Sequence, residues 1–311
     1  MQKHKSKAFL IPLLIIITFE FMWLPPHEIS TAEIKTEIKQ EDLSGTHLSK
    51  SYILQEVKSK EILLSDNETE RKAPASTTKL LTGLVALNYL SESDMIEVGD
   101  EVNVEGSRLG LTPGAKISVQ DLLTAMYLMS ANDAAAALAV GAKGSLPDFA
   151  RAMNEYALTI GCQNSNFVNP HGLSEPNHYT TASDLGKIAL VFIENRQLMR
   201  YVIMKDSQVT WTDSNGRRHS TTIHNTNKLL TTYPGNQGLK TGTTEEAGQC
   251  LVSYTTGSDG DLLLVLLGSQ QRYADAVDLF DQAWAKLRPT AALEQSTGDP
   301  TSLIDSQGFF P

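Results

Sequence analysis

The chain has 311 residues, a length that favours roughly two lobes around a sizeable core. Hydrophobic residues make up 41% and charged residues 20%, so the composition is that of a globular protein and excludes a collagen-like or fully disordered chain. The formal net charge is −10, from 26 basic and 36 acidic residues, and a chain this acidic is not expected to bind nucleic acid.

The N-terminal segment has the pattern of an export signal. Lysines at positions 3, 5 and 7 precede an apolar run that is shorter than the ~20 residues of a comfortable membrane span. Residues 1–30 are therefore predicted to be an export signal, with an uncleaved N-terminal anchor as the alternative. We expect the protein outside the cytoplasm, in the cell wall or at the outer face of the cytoplasmic membrane. Any membrane contact is expected only through this segment.

A globular region is predicted at 51–288, between a polar spacer (31–50) and a polar tail (289–311). Its first strands are predicted at Tyr52–Leu54 and Glu61–Leu64. The apolar spacing predicts helices at 74–90, 119–129, 133–143, 145–161, 181–195 and 273–287. Further strands are predicted at 208–212, 219–223, 248–256 and 261–268.

This order of elements predicts the fold class. Strands from both ends of the globular region can share one antiparallel sheet, with the helical middle packed beside it, so the class is α+β. The two cysteines, Cys162 and Cys250, fit no metal-binding spacing and are favoured to be free thiols, with one disulfide as the alternative. His171 and His178 fit no short zinc pattern and are assigned to a structural loop. No metal or cofactor is expected.

Three short motifs carry the candidate chemistry. Ser76 and Lys79 lie three residues apart at a predicted helix start, so their side chains project from one face. A serine needs a base to attack a carbonyl, and a lysine with a lowered pKa can serve. Taken alone, this pair is more often a capping serine with a solvated lysine.

The other two motifs are equally weak in isolation. Ser130-Ala131-Asn132 lies between two predicted helices, where a helix-capping loop is the ordinary interpretation. Lys240-Thr241-Gly242 opens a strand-rich segment, and such a strand can bind a carboxylate and pair with an extended peptide. The order of the three motifs, each in its expected secondary structure, is the combination found in β-lactamases and penicillin-binding proteins.

Longer segments extend this resemblance over about residues 51–287. The sequence resembles the low-molecular-mass penicillin-binding proteins, specifically the serine D-alanyl-D-alanine carboxypeptidases of peptidase family S11. The segments that carry the resemblance are Pro74–Thr82, Gly110–Gly114, Leu128–Ala135, Asn169–Leu173, Pro176–Ala182, Asn225–Leu229 and Gly238–Thr244. The fold that it implies is the penicillin-binding-protein or β-lactamase type, an antiparallel sheet flanked by helices plus a helical lobe.

The resemblance also implies roles for single residues. Ser76 resembles the acyl-accepting nucleophile, Lys79 its general base and Ser130 the proton relay to the leaving amine. The backbone N–H groups of Ser76 and Thr243 would form the oxyanion hole. The residues that would bind substrate are Asn132, Lys240, Thr241, Gly242, Thr243 and Arg272. The implied substrate is a peptidoglycan stem peptide ending in D-Ala-D-Ala, with β-lactams as covalent inhibitors.

Two other functions are possible for a chain with these motifs, and the sequence departs from the family pattern at two points. A β-lactamase of the same fold would carry Glu-x-x-Leu-Asn after the second motif, and neither Glu155 nor Glu175 begins that pattern. An inert cell-wall-binding homologue is disfavoured by the intact motifs.

The stretch 289–311 is too short for the β-rich domain and membrane-lying helix of many members, so attachment through the C-terminus is not expected. Thr243 stands where some members have His or Tyr.

Overall fold

A five-stranded antiparallel sheet forms the centre of residues 50–297, the part of the chain that the computed structural model describes. The predicted export signal, most of the spacer and the end of the tail lie outside the described residues. The strands are β1 (Ser51–Glu56), β2 (Ile62–Asp66), β3 (Met95–Glu97), β4 (Lys116–Ser118), β5 (Asp206–Thr212), β6 (Arg218–His224), β7 (Asn236–Thr244), β8 (Gly248–Gly257) and β9 (Gly260–Ser269). The central sheet has the order β2-β1-β9-β8-β7, so β7 is an edge strand. As predicted, strands from both ends of the globular region share this sheet.

Strand β9 lies in the middle of the sheet and is buried on both faces. Residues 262–267 form a continuous apolar run with at most 1% of any residue exposed, which is typical of a fully covered strand. On one face, Leu279 and Phe280 of the last helix pack in a cluster with leucines of β9. On the other face, the helix 182–194 contacts β9 and β1. The sheet is therefore a layer between one helix and a helical lobe.

Eight helices occur within residues 50–297. They are α1 (Lys79–Ala86), α2 (Val119–Leu128), α3 (Asn132–Lys143), α4 (Leu146–Thr159), α5 (Ala182–Glu194), α6 (Arg196–Val202), α7 (Leu229–Thr232) and α8 (Arg272–Thr297). Side-chain oxygens of Ser118, Ser145 and Thr181 cap α2, α4 and α5 by accepting the N–H of the third residue after them. Ser145 thus stands at the start of the helix predicted at 145–161. None of these helices is long and apolar enough to cross a membrane.

The structure corrects several predicted elements. The hairpin β5–β6 belongs to a second sheet of order β3-β4-β5-β6 and not to the central sheet. Strands β3 and β4 have three residues each, too few for an alternating pattern to be visible in the sequence. Helix α6 was not predicted, and α8 continues to Thr297, beyond the boundary predicted at 288. Cys162 and Cys250 are both buried and free, which excludes the disulfide alternative.

The helix predicted at 74–90 is also shorter and less regular than expected. It begins as a 3-10 turn at Ala75–Thr78, continues as α1 and ends at Ala86. The hydroxyls of Thr77 and Thr78 donate to the carbonyls of Pro74 and Ala75, at 2.6 and 2.8 Å. Such side-chain bonds compete with regular helical ones, and they hold the turn on which the first motif begins.

Candidate active site

Ser76 lies in the 3-10 turn directly before helix α1. It is partly exposed, whereas its neighbours Ala75 and Thr77 are buried. Ala75 has a φ of 48°, a left-handed conformation that is uncommon for a residue other than glycine. The backbone therefore turns sharply at Ala75, so Ser76 is the first side chain of the turn that reaches solvent.

Lys79 is fully buried beside Ser76 and has three close oxygen neighbours. Its Nζ atom lies 2.8 Å from Ser76 Oγ, 2.7 Å from Asn132 Oδ1 and 2.6 Å from the carbonyl oxygen of His171. Two of these oxygens can only accept hydrogen bonds, and the hydroxyl can also donate. The Lys79 amine donates to all three oxygens, and once it has lost a proton its lone pair can accept from the Ser76 hydroxyl.

The surroundings of Lys79 lower its pKa. Burial is the main cause that holds the pKa of Lys79 well below its usual value, and the nearby charge of Lys240 lowers it further. The carboxylate of Asp133 acts in the opposite direction. A buried amine with a lowered pKa, in contact with a serine hydroxyl, is the arrangement of a general base and its nucleophile.

The second motif lies at the start of helix α3, across the cleft from Ser76. Asn132 is buried, and its Nδ2 donates to the carbonyl of Glu105 at 2.6 Å while its Oδ1 accepts from Lys79. Ser130 has a φ of 63° and lines the cleft. The sharp turn at Ser130 thus directs this serine toward the cleft, while Asn132 is held in place from two sides.

Asp133, the residue after the motif, was not predicted to have a role at the site. Its fully buried carboxylate accepts the N–H groups of Leu109, Gly110 and Leu111, at distances from 2.8 to 3.1 Å. This anion in a nest of backbone N–H groups ties the 109–111 segment to α3. The only sign of this contact in the sequence is that the segments 110–114 and 128–135 both carry the family resemblance.

The third motif lies on β7, the edge strand that passes the nucleophile. A Cβ atom added at Gly242 would lie 2.7 Å from the backbone nitrogen of Ser76 and 2.9 Å from the Ala75 Cβ. Only glycine allows this close approach of strand and turn. Thr241 and Thr243 flank Gly242 and line the cleft, and Thr241 Oγ1 shares a 2.9 Å hydrogen bond with Thr226 Oγ1.

Lys240 and Arg272 differ in how their charges are used. Lys240 is 1% exposed and donates to the carbonyl of Thr241 at 2.9 Å, and burial together with the charge of Arg272 lowers its pKa to about 7. The Arg272 guanidinium donates to the carbonyls of Gly242 and Cys250, to Gln249 Oε1 and to Thr243 Oγ1. Arg272 therefore braces β7 as well as lining the cleft.

Together these elements enclose an open cleft of about 420 Å³. The residues that line it are Ser76, Ser107, Ser130, Thr226, Lys228, Thr241, Gly242, Thr243, Gln249, Arg272 and Tyr273. None of these residues carries a carboxylate, so the cleft has basic and hydroxyl groups and suits an anionic ligand. Sequence reasoning did not identify the roles of Ser107, Thr226, Lys228 and Tyr273. In residues 50–297, no group of three or more His, Cys, Asp or Glu side chains could hold a metal ion.

The sequence matches a known protein family over most of its length. The model, described as peptidase S11, D-alanyl-D-alanine carboxypeptidase, matches residues 35–271. The chain belongs to the D-alanyl-D-alanine carboxypeptidase family. The family assignment favours the carboxypeptidase over the β-lactamase alternative.

Individual relatives agree with this family. The D-alanyl-D-alanine carboxypeptidase DacF of Bacillus subtilis is 30% identical over 295 residues, which cover 84% of this chain and 74% of DacF. DacC of Escherichia coli is 34% identical over 71% of this chain, and the match spans only 57% of DacC. Among solved structures, the Streptomyces K15 DD-transpeptidase has a TM-score of 0.72 at 27% identity and covers 76% of this chain and 96% of its own. The carboxypeptidase DacD of Francisella tularensis has a TM-score of 0.69 at 27% identity, covering 75% of this chain and 69% of its own.

These matches confirm the family, the α+β penicillin-binding fold and the serine-type D-alanyl-D-alanine carboxypeptidase function predicted from the motifs. Enzymes of this family act on D-Ala-D-Ala ends of peptidoglycan, bind β-lactams and work outside the cytoplasm on the bacterial cell wall. The chemical roles of individual residues in this chain are a separate question.

Proposed function

We propose that Ser76, Lys79 and Ser130 are the catalytic residues of a D-Ala-D-Ala carboxypeptidase reaction on peptidoglycan stem peptides. Ser76 Oγ attacks the carbonyl carbon of the penultimate D-Ala, and its proton passes to Lys79 Nζ. The C–N bond to the last D-Ala then breaks, and Ser130 relays a proton to the leaving amine. Water hydrolyses the resulting ester and regenerates Ser76. The observation that carries this proposal is the 2.8 Å contact between Ser76 Oγ and a buried Lys79 amine.

Two backbone N–H groups are assigned to stabilise the negative charge that develops on the substrate carbonyl oxygen. The N–H of Ser76 and that of Thr243 face the carbonyl oxygen that becomes an oxyanion, and such preorganised donors stabilise the transition state strongly. The close approach of Gly242 to Ser76 supports this pairing, because it brings β7 against the turn that carries the nucleophile. Asn132 would hydrogen-bond the substrate backbone.

The terminal carboxylate of the substrate is assigned to the basic end of the cleft. Thr241 and Thr243 line the cleft and supply the direct contacts. Lys240, which is 1% exposed, and Arg272 add positive charge, and Arg272 also fixes Thr243. Binding an anion next to Lys240 favours its protonated form, so substrate binding and protonation of Lys240 are coupled. A β-lactam presents a carboxylate and a strained amide in the same arrangement, and it acylates Ser76 through the same contacts.

Release of D-Ala from a synthetic peptide ending in D-Ala-D-Ala tests this function. The wild-type protein is expected to release one D-Ala per peptide, and Ser76→Ala is expected to release none above the uncatalysed rate. The matched control is Ser65→Ala, which changes an exposed serine on β2 and should keep full activity. Absence of D-Ala release by the folded wild-type protein would contradict the proposal.

Acyl transfer to an amine is a second candidate, because the Streptomyces K15 neighbour is a DD-transpeptidase. Adding glycine or a diamino acid to the same assay separates the two reactions by mass spectrometry of the peptide product. A carboxypeptidase yields the shortened peptide with a free carboxylate, whereas a transpeptidase yields the amide. We propose that hydrolysis dominates.

The location proposed for the protein is extracytoplasmic, with the N-terminal segment as its only contact with a membrane. Protein expressed from about Thr31 onward should then be soluble and active without detergent. Partitioning of that shortened protein into membranes would contradict this arrangement.

A further inference from the structure

The peptide bond between Ala75 and Ser76 has a support that the reaction scheme above does not use. The hydroxyl of Thr78 is fully buried and lies 2.8 Å from the Ala75 carbonyl and 2.9 Å from Nε2 of His178. On the other side of the imidazole ring, Nδ1 lies 3.1 Å from the backbone nitrogen of Val168. His178 is itself 2% exposed and packs edge-on against Phe167.

These hydrogen bonds form a series from the Val168 N–H through His178 and Thr78 to the Ala75 carbonyl. The groups at the two ends of the series determine the direction of every bond in it. The Val168 N–H can only donate, so Nδ1 of His178 accepts and carries no proton. The proton of a neutral imidazole is then on Nε2, which donates to Thr78 Oγ1. The Thr78 hydroxyl in turn donates to the Ala75 carbonyl, which can only accept. Burial is the main cause that lowers the pKa of His178 to about 4, and the protonated form of Lys79 lowers it further, so the imidazole is neutral at neutral pH.

This series of hydrogen bonds controls the direction of the Ser76 N–H. In a planar trans peptide, the C=O and N–H groups point in opposite directions. The Ala75 carbonyl is held toward Thr78, and Gly172 packs so closely against it that a Cβ at that glycine would overlap the oxygen. The Ser76 nitrogen accordingly lies on the opposite side, toward Gly242 of β7.

We propose that His178 is a positioning residue, which acts through Thr78 to hold the Ala75–Ser76 peptide so that the Ser76 N–H points into the oxyanion hole. The inference rests on the proposed function of Ser76. Ala75 has a strained φ of 48°, and such a conformation persists only where its surroundings hold it. Without the Thr78 bond, the peptide plane can rotate and the oxyanion donor loses its fixed direction.

Paired variants separate positioning from mere packing. Thr78→Val removes the hydroxyl at nearly constant volume, and His178→Phe removes the donor, whereas Thr78→Ser and His178→Gln keep a donor in place. Loss of one oxyanion-hole donor costs about 100- to 1,000-fold in rate, so misdirecting one is expected to cost about 10- to 100-fold. The two donor-keeping variants should stay within about threefold of wild type.

The assay measures the rate of acylation by benzylpenicillin as a function of drug concentration. Saturation then separates the acylation step from the initial binding constant. We expect Thr78→Val and His178→Phe to lower the maximal acylation rate while leaving the initial binding constant within about twofold. The matched control is Thr82→Val, because Thr82 on the adjoining helix α1 makes a comparable buried bond, 2.6 Å long, to the carbonyl of Pro170. It should lose stability but keep the acylation rate.

The outcomes distinguish this inference from the function on which it rests. Equal acylation rates for wild type, Thr78→Val and His178→Phe would overturn the positioning role and leave the proposed function intact. Equal losses in Thr78→Val and Thr82→Val would also overturn it, since both would then report packing. A folded wild-type protein that is never acylated would overturn the proposed function. In that case ¹⁵N NMR still decides the hydrogen-bond chain, which requires His178 to carry its proton on Nε2.

Discussion

Replacing Lys240 by methionine should stabilise the protein while it abolishes carboxylate binding. Lys240 is 1% exposed, makes one hydrogen bond, and has its pKa lowered from 10.5 to about 7 by burial and by Arg272. At about 1.4 kcal/mol per pKa unit, this difference sets a penalty of about 5 kcal/mol for keeping the ammonium in the folded state. The hydrogen bond to Thr241 offsets about 1 kcal/mol of it. Lys240→Met should therefore raise the free energy of unfolding by about 2 to 4 kcal/mol at pH 6.

The lowered pKa of Lys240 also determines how the free energy of unfolding changes with pH. Between about pH 7 and pH 10.5, the unfolded chain holds the Lys240 proton and the folded chain does not. Stability contributed by this residue therefore rises with pH through that interval, and the full penalty applies below pH 7. The advantage of Lys240→Met should shrink to about 1 kcal/mol at pH 9.

Urea unfolding at pH 6 and pH 9, followed by circular dichroism, measures both quantities. The matched control is Lys228→Met, which changes an exposed lysine on the rim of the same cleft and should leave stability nearly unchanged. A Lys240→Met protein that is less stable than wild type at pH 6 would show that the buried charge does not destabilise the fold. So would an advantage that grows between pH 6 and pH 9.

Three further predictions follow from the contacts of the site. Lys79→Arg should abolish labelling by a fluorescent penicillin in a folded protein, because a guanidinium does not deprotonate in the working pH range; near-normal labelling would remove Lys79 from the mechanism. Gly242→Ala should lower acylation by at least about 100-fold, because the new methyl group would lie 2.7 Å from the Ser76 nitrogen; unchanged kinetics would show that strand and turn are not in contact. Asp133→Asn should lower the free energy of unfolding, measured by chemical denaturation, by about 2 to 4 kcal/mol. The reason is that an amide oxygen replaces an anion that accepts several buried N–H groups. A loss below about 0.5 kcal/mol would contradict that role.

The parts of the fold and site that were predictable share a local signal. The run that forms β9 is long and apolar, and the capping serine Ser145 marks the start of α4. The motif residues Ser76 and Lys79 are three positions apart, so one helical turn brings them together whatever the rest of the chain does. Motif order and longer segments then indicated the family.

The parts that were missed depend on contacts between distant residues. The His171 carbonyl reaches Lys79 across 92 positions, and a backbone oxygen has no side-chain signature in the sequence. His178 and Thr78 are 100 positions apart, so their bond follows from the path of the loop and not from local spacing. Strands β3 and β4 are too short to show a period. Tertiary placement, and not composition, decides each of these features.

Ser76 is proposed to be the nucleophile that forms the acyl-enzyme. Mass spectrometry of the intact protein after mixing with benzylpenicillin tests it directly, since the opened ring stays tethered and blocks the approach of water. We expect one added drug mass that persists for minutes and that digestion places on the peptide containing Ser76. The Ser76→Ala variant should lack this adduct. Rapid repeated turnover of the drug, an adduct on another residue, or no adduct on the folded wild-type protein would contradict it.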